Sequence, residues 1–186
     1  MKNRLIIFDC FGVIFDEVAP VFLKRYLTEE KAIPLKEELF VPADLGEISY
    51  DELLTNMAKA LNLNKEKMTT EWESLFKLKE NMPPLIKELG KSADICLLSN
   101  APFGVIETQF KKHNLIFLFD RIFVSCNLRM AKPDPEIYLH CVREMKKDYD
   151  EIYMIDDNWN NLSFLPKIGI TPIHFKDISS LDFLLK

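Results

Sequence analysis

No stretch of the 186 residues stays apolar for the roughly 20 positions a bilayer-spanning helix needs. A basic excess is also missing: 24 Lys and Arg face 29 Asp and Glu, for a net charge of -5 and a pI near 5.3. An acidic surface repels a polyanion, which argues against nucleic acid as a partner. The four cysteines, Cys10, Cys96, Cys126 and Cys141, lack any paired spacing, so neither a zinc site nor a disulfide framework is indicated and free thiols in a reducing cytosol are expected. Lys2 and Arg4 precede a short apolar run, but Asp9 breaks it and no small-residue cleavage site follows, so the start reads as a strand and not as a signal peptide. Internal repeats, low-complexity tracts and blocks of like charge are absent too. These absences leave a soluble, cytoplasmic protein with no membrane partner, long enough for one sizeable core and a small inserted module.

What is present is an alternation of short apolar runs with helix-length segments. Leu5 to Phe8, Ile95 to Leu98, Ile122 to Val124, Ile152 to Ile155 and Ile170 to Phe175 are rich in β-branched and large apolar residues. Near-continuous apolar strands separated by helices predict a parallel sheet covered on both faces, with its ligand at the carboxyl ends of the strands. Pro83 and Pro84 open a helix that Gly90 closes, and Asp134 with Pro135 opens another through Ile137, Tyr138, Cys141, Val142 and Met145. Asn158 is placed to cap a third helix, up to Ile168, which Gly169 ends. The fold class predicted is α/β, a Rossmann-like three-layer parallel sheet core.

Residues 16–82 differ in character. They contain amphipathic helical patterns at Val18 to Leu27, Ser49 to Leu61 and Thr69 to Leu78, and no strong strand. Such a stretch is too long for an ordinary crossover. It reads as an all-helical cap over residues 16–82, inserted into a core made of residues 1–15 and 83–186 and sitting over the strand ends. Lys65, Glu66 and Lys67 read as a solvated corner, and Trp72 and Phe76 as packing inside the cap.

Four polar spots follow four predicted strands: Asp9, Ser99-Asn100, Lys132 and Asp156-Asp157. In a parallel sheet they converge on one edge, bringing carboxylates, a hydroxyl, an amide and an ammonium together. Such a set suits a divalent cation with an anion, and Mg²⁺ takes a few carboxylate oxygens while leaving positions for phosphate and water.

In order, Phe8-Asp9-Cys10-Phe11-Gly12-Val13, Leu98-Ser99-Asn100, Ala131-Lys132-Pro133-Asp134-Pro135-Glu136-Ile137-Tyr138 and Ile155-Asp156-Asp157 with Asn161 resemble the four motifs of the haloacid dehalogenase superfamily of hydrolases. Leu45-Gly46-Glu47-Ile48-Ser49 resembles the cap of the branch with the epoxide hydrolase N-terminal phosphatase domains and small sugar phosphatases. The resemblance implies a Mg²⁺-dependent phosphatase-type hydrolase of small phosphomonoesters, its partner a small phosphorylated metabolite. Asp9 would attack phosphorus to give an aspartyl-phosphate. It further implies Mg²⁺ on the Asp9 carboxylate, the Phe11 carbonyl and Asp157, with Asp156 in the outer shell beside Lys132. Ser99, the Asn100 backbone amide and Lys132 would hold the phosphoryl oxygens. Neither substrate identity, which the cap selects in this family, nor oligomeric state has a signal in these motifs.

The family's phosphatases usually carry a second aspartate two residues after the nucleophile, where this chain has Phe11. A phenyl ring neither protonates a leaving group nor activates water, work typically worth about 10²–10⁴-fold. Three readings share the motifs: weak or selective phosphatase turnover, with a proton from the cap or substrate or with good leaving groups; a binding protein that has lost catalysis; and a 2-haloacid dehalogenase, for which Arg25 is the candidate arginine. The adjacent acids Asp156 and Asp157 favour the metal-dependent phosphatase, because without a cation their charges repel.

Plain structural roles stand beside these. Asp9 could end a strand, Ser99-Asn100 could be turn chemistry, and Lys132 could be solvated. Asn161 fits a tie between loop and helix as well as a ligand contact. His113, His140 and His174 read as structural or surface residues, Cys10 as core, and Asp16-Glu17 as hinge.

Overall fold

The computed structural model describes residues 3–185. Five strands, β1 (Arg4–Phe8), β2 (Asp94–Ser99), β3 (Arg121–Val124), β4 (Glu151–Asp156) and β5 (Thr171–His174), form one parallel sheet in the order β3-β2-β1-β4-β5. Side chains alternate across β1 as a strand requires. Ile6 and Phe8 join one apolar cluster with α6 (Met82–Leu89) and α7 (Val105–Lys112), while Leu5 and Ile7 join another with α9 (Pro135–Glu144). Burial on both faces is why these strands read as unbroken apolar runs. The chain proceeds from β1 outward to β3 and returns to β4 on the other side of β1. That reversal opens a crevice at the tips of β1 and β4, where open α/β sheets bind ligands.

Between β1 and β2 the chain forms helices α1 (Ala19–Leu23), α2 (Glu29–Leu35), α3 (Val41–Asp44), α4 (Tyr50–Ala60) and α5 (Lys65–Glu73), with a π-helical turn, Lys36–Phe40, between α2 and α3. Their inward residues, among them Phe22, Leu53, Met57, Trp72 and Phe76, make an apolar cluster of their own, joined by Val105 of α7. This insertion leaves and re-enters the sheet through a short stem, in which Asp16 N–H donates to the Lys77 carbonyl and Lys79 N–H to that of Ile14, both at 2.9 Å.

Two helices differ from expectation, and a third forms around a proline. The helix expected over Thr69 to Leu78 runs from Lys65 to Glu73, because the Asn64 side chain accepts from Lys67 N–H at 3.0 Å and caps it earlier. Lys65 to Lys67 are its first turn, and Glu66 and Lys67 are exposed there as a solvated corner would be. The stretch after Thr28 is helical although it holds Pro34, which removes a backbone donor, and the π-helical turn follows immediately after that helix. The helix expected from Asn158 to Ile168 is instead two 3₁₀ turns, Trp159–Asn161 and Leu165–Ile168. There Asn158 bonds Asn160 N–H, Asn161 turns back to Asp156, and Pro166 breaks the ladder. Among the described residues, no helix is long and apolar enough to cross a membrane.

Candidate active site

Asp9 follows β1 directly, and its N–H donates to the Ile155 carbonyl at 2.9 Å, which locks the tip of β1 to that of β4. Its Oδ1 accepts from Cys10 N–H at 2.7 Å and lies 2.8 Å from Lys132 Nζ. Both contacts fall on Oδ1, which leaves Oδ2 without a hydrogen-bond partner among the described residues. The same ammonium sits 2.7 Å from Asp156 Oδ2. Lys132 is thus not a solvated loop residue: its side chain is 1% exposed and bridges two acids from neighbouring strands.

Backbone ties hold that bridge in place. The Asn100 side chain donates to the Lys132 carbonyl and accepts from its N–H, each at 2.9 Å. The side chain at the tip of β2 is therefore committed to Lys132. Asn161 Nδ2 donates to both oxygens of Asp156, at 3.1 and 3.0 Å, and Asn158 N–H donates to Oδ1 at 2.8 Å. Asn161 orients this acid within the loop that follows β4. Ser99 is fully buried beside them, with only a 3.5 Å contact to the Asn100 carbonyl.

Electrostatics follow from burial. Desolvation alone would lower the Lys132 pKa, but Asp9 and Asp156 more than offset it, and the ammonium is held well above the ordinary lysine range. Desolvation lifts the Asp9 carboxyl, to about 8, against the pull of Lys132. Asp157 is raised by desolvation and by the charge of Asp156. Carboxylate oxygens of Asp9, Asp156 and Asp157 all lie within 4.8 Å of one another. One ammonium does not balance three carboxylates at that distance, and an all-oxygen donor set suits a hard divalent cation.

Two positions matter more here than their residue types suggest. Gly12 has φ +83°, and a Cβ there would stand 2.2 Å from Asp157 Oδ2. Its carbonyl accepts from Lys79 Nζ at 2.5 Å. Gly12→Ala is expected to cost about 1–3 kcal/mol from the backbone conformation alone, and to push Asp157 out of the cluster. Urea denaturation checks this; an unchanged midpoint would contradict it. Glu17, beside the stem, also interacts with Asp157, and its carboxyl is raised to about 7, first by desolvation and then by the charge of Asp157. Only proximity in space reveals that role. His174 Nε2 lies 2.9 Å from the Asp157 carbonyl and its ring packs near Trp159, so it braces the same loop. His113 and His140 pack on Phe15 and Phe123.

The Phe11 ring meets Phe76 of the insertion at 5.7 Å and Phe15 at 6.4 Å between centroids, an aromatic wall where an acid could stand. Arg25 is spent elsewhere: it pairs with Glu71 at 2.6 Å on the exposed surface of the insertion. The arginine that a dehalogenase reading needs is therefore already engaged.

Residues 3–169 match the family model described as haloacid dehalogenase-like hydrolase. The chain is 23% identical over 175 residues to sesquiterpene phosphatase astK of Aspergillus oryzae, covering 92% of this chain and 89% of that protein. It is 22% identical to 6-phosphogluconate phosphatase of Escherichia coli, covering 84% and 75%. The HAD family enzyme bt-2542 of Bacteroides thetaiotaomicron, solved in complex with magnesium and inorganic phosphate, superposes with a TM-score of 0.75 at 20% identity, covering 98% of this chain and 100% of that one.

Proposed function

Because the chain belongs to the haloacid dehalogenase-like hydrolase family, we propose that it is a Mg²⁺-dependent phosphatase acting on small phosphomonoesters through an aspartyl-phosphate on Asp9. The observation that carries this reading is the Lys132 ammonium set between Asp9, at 2.8 Å, and Asp156, at 2.7 Å, with Asp157 beside them at the strand tips. The phosphatase relatives and the magnesium and phosphate bound by the bt-2542 enzyme support it.

Asp9, the Phe11 carbonyl and Asp157 would hold the ion. Bound there, Mg²⁺ would neutralise the acids and the phosphoryl oxygens, letting two anions approach. The protein's own groups do the rest. Cys10 N–H and Lys132 fix Oδ1 of Asp9, so that Oδ2 can attack phosphorus in line. Lys132, Ser99 and the backbone N–H of Asn100 take the charge on the phosphoryl oxygens. Asp156 and Asn161 act on Lys132 and on each other, and so position the ammonium without touching the substrate. The helical insertion acts as the cap that selects the alcohol portion, with Phe76 meeting Phe11 at the boundary.

Phosphate release from p-nitrophenyl phosphate and acetyl phosphate, with Mg²⁺ and with a chelator, tests the proposal. Release that collapses on chelation is the expected result. Folded protein with no Mg²⁺-dependent release from either compound would refute it.

A further inference from the structure

Hydrolysis of an unactivated ester needs a proton for the departing oxygen, and Phe11 has none to give. Two half-buried acids, besides the cluster itself, lie near the strand tips: Glu17 and Asp44. Glu17 is engaged with Asp157. Asp44, the last residue of α3, has no hydrogen-bond partner among the described residues. The charges of Lys132 and Lys36 act on its carboxyl, and its own charge acts on Cys126. Lys132 thus interacts with the charges of both Asp44 and Asp9.

The insertion is seated closely at this point. α3 packs on α8 (Ser125–Leu128), just after β3. Gly46, two residues past Asp44, has φ +70°, and a Cβ there would stand 2.7 Å from the Cys126 carbonyl and 2.9 Å from the Phe103 ring. No side chain fits, so backbone of the insertion rests directly on the core beside β3, two residues after Asp44.

We infer that Asp44, supplied by the helical insertion, is the acid that the first strand lacks. This rests on the phosphatase reading. As Asp9 Oδ2 bonds to phosphorus and the ester P–O bond breaks, the Asp44 carboxylic acid gives its proton to the leaving oxygen and an alcohol departs. Water then attacks phosphorus, the bond to Asp9 breaks, and the Asp44 carboxylate takes the proton from that water, so inorganic phosphate leaves and the starting state returns.

The protonation state suits both halves of the cycle. Desolvation lifts the Asp44 carboxyl to about 7, against the pull of Lys132 and Lys36, and an acid–base group works best with its pKa near the working pH. As the protonated form is the one required first, kcat/KM for an alkyl phosphate should fall as pH rises through about 7.

The test uses the full chain with Mg²⁺ and a series of aryl and alkyl phosphates of rising leaving-group pKa. The wild-type protein should show little dependence on the leaving group. Asp44→Asn, nearly isosteric, should lose about 10²–10⁴-fold on an alkyl phosphate and at least tenfold less than that on p-nitrophenyl phosphate, whose phenolate needs little protonation. Its fall above neutral pH should vanish too. Phe11→Asp added to Asp44→Asn should recover alkyl turnover, which a merely structural defect would not allow. Equal losses on both substrates in a variant that melts like the wild type would overturn the assignment, as would a steep leaving-group dependence in Glu17→Gln with none in Asp44→Asn. If the wild-type protein releases phosphate from neither substrate, the phosphatase reading itself fails, and this one with it.

Discussion

Asp9→Asn is expected to lower Mg²⁺-dependent phosphate release by at least about 10⁴-fold, the scale on which removing a covalent nucleophile acts, while the protein stays folded. The amide oxygen can still accept from Cys10 N–H, and the buried ammonium of Lys132 keeps Asp156 at 2.7 Å. What disappears is the charged Oδ2 that attacks phosphorus. Stability should hold or improve slightly, because burial disfavours the charged form of Asp9. Steady-state assays on purified variant, with a thermal melt beside them, measure both. Activity within tenfold of wild type would refute the assignment of Asp9 as nucleophile.

Lys132→Met should produce the largest loss of stability. The methionine fills much of the same volume, but Asp9 and Asp156 then face each other without the ammonium that lies 2.8 and 2.7 Å from them. Removing one partner of a buried ion pair typically costs about 3–5 kcal/mol, because the other charge stays buried and uncompensated. For a chain of this size each kcal/mol moves the melting temperature by about 2–4 °C, so a drop of roughly 6–20 °C is expected. Mg²⁺ should recover part of it by adding positive charge at the same place, and turnover should be lost at any temperature. A melting temperature within about 2 °C of wild type, less than the shift from 1 kcal/mol, would contradict this account of the cluster.

Much of the sheet was legible because its cause is local. Leu5 to Phe8, with Met154 and Ile155 beside them, are buried on both faces and must be apolar, a pattern visible without coordinates. Asp9, Lys132 and Asp156-Asp157 were legible as candidates for a related reason: each is a polar residue closely following an apolar run. The helix starts were readable where a side chain makes the cap, as at Ser49, whose hydroxyl and Glu52 form a reciprocal pair, and at Asp134, which accepts from Glu136 N–H at 2.9 Å. Reading failed where two local signals competed: Asn158 to Ile168 looked helical until Asn161 was drawn to Asp156.

Glu17 and Asp44, the acids outside the motifs, carried no such signal. Glu17 follows the stem of the insertion and Asp44 ends a short helix, as many surface acids do. The Asn100 side chain, which the motif left without a role, braces Lys132. Sequence by itself determined the class of fold, the order of the motifs and the absence of an acid at Phe11, since apolar periodicity and residue identity are properties of neighbours along the chain. Only the tertiary structure decided which charges meet and that the Lys132 side chain is buried, because desolvation and Coulomb interaction depend on distance in space and not on spacing in sequence.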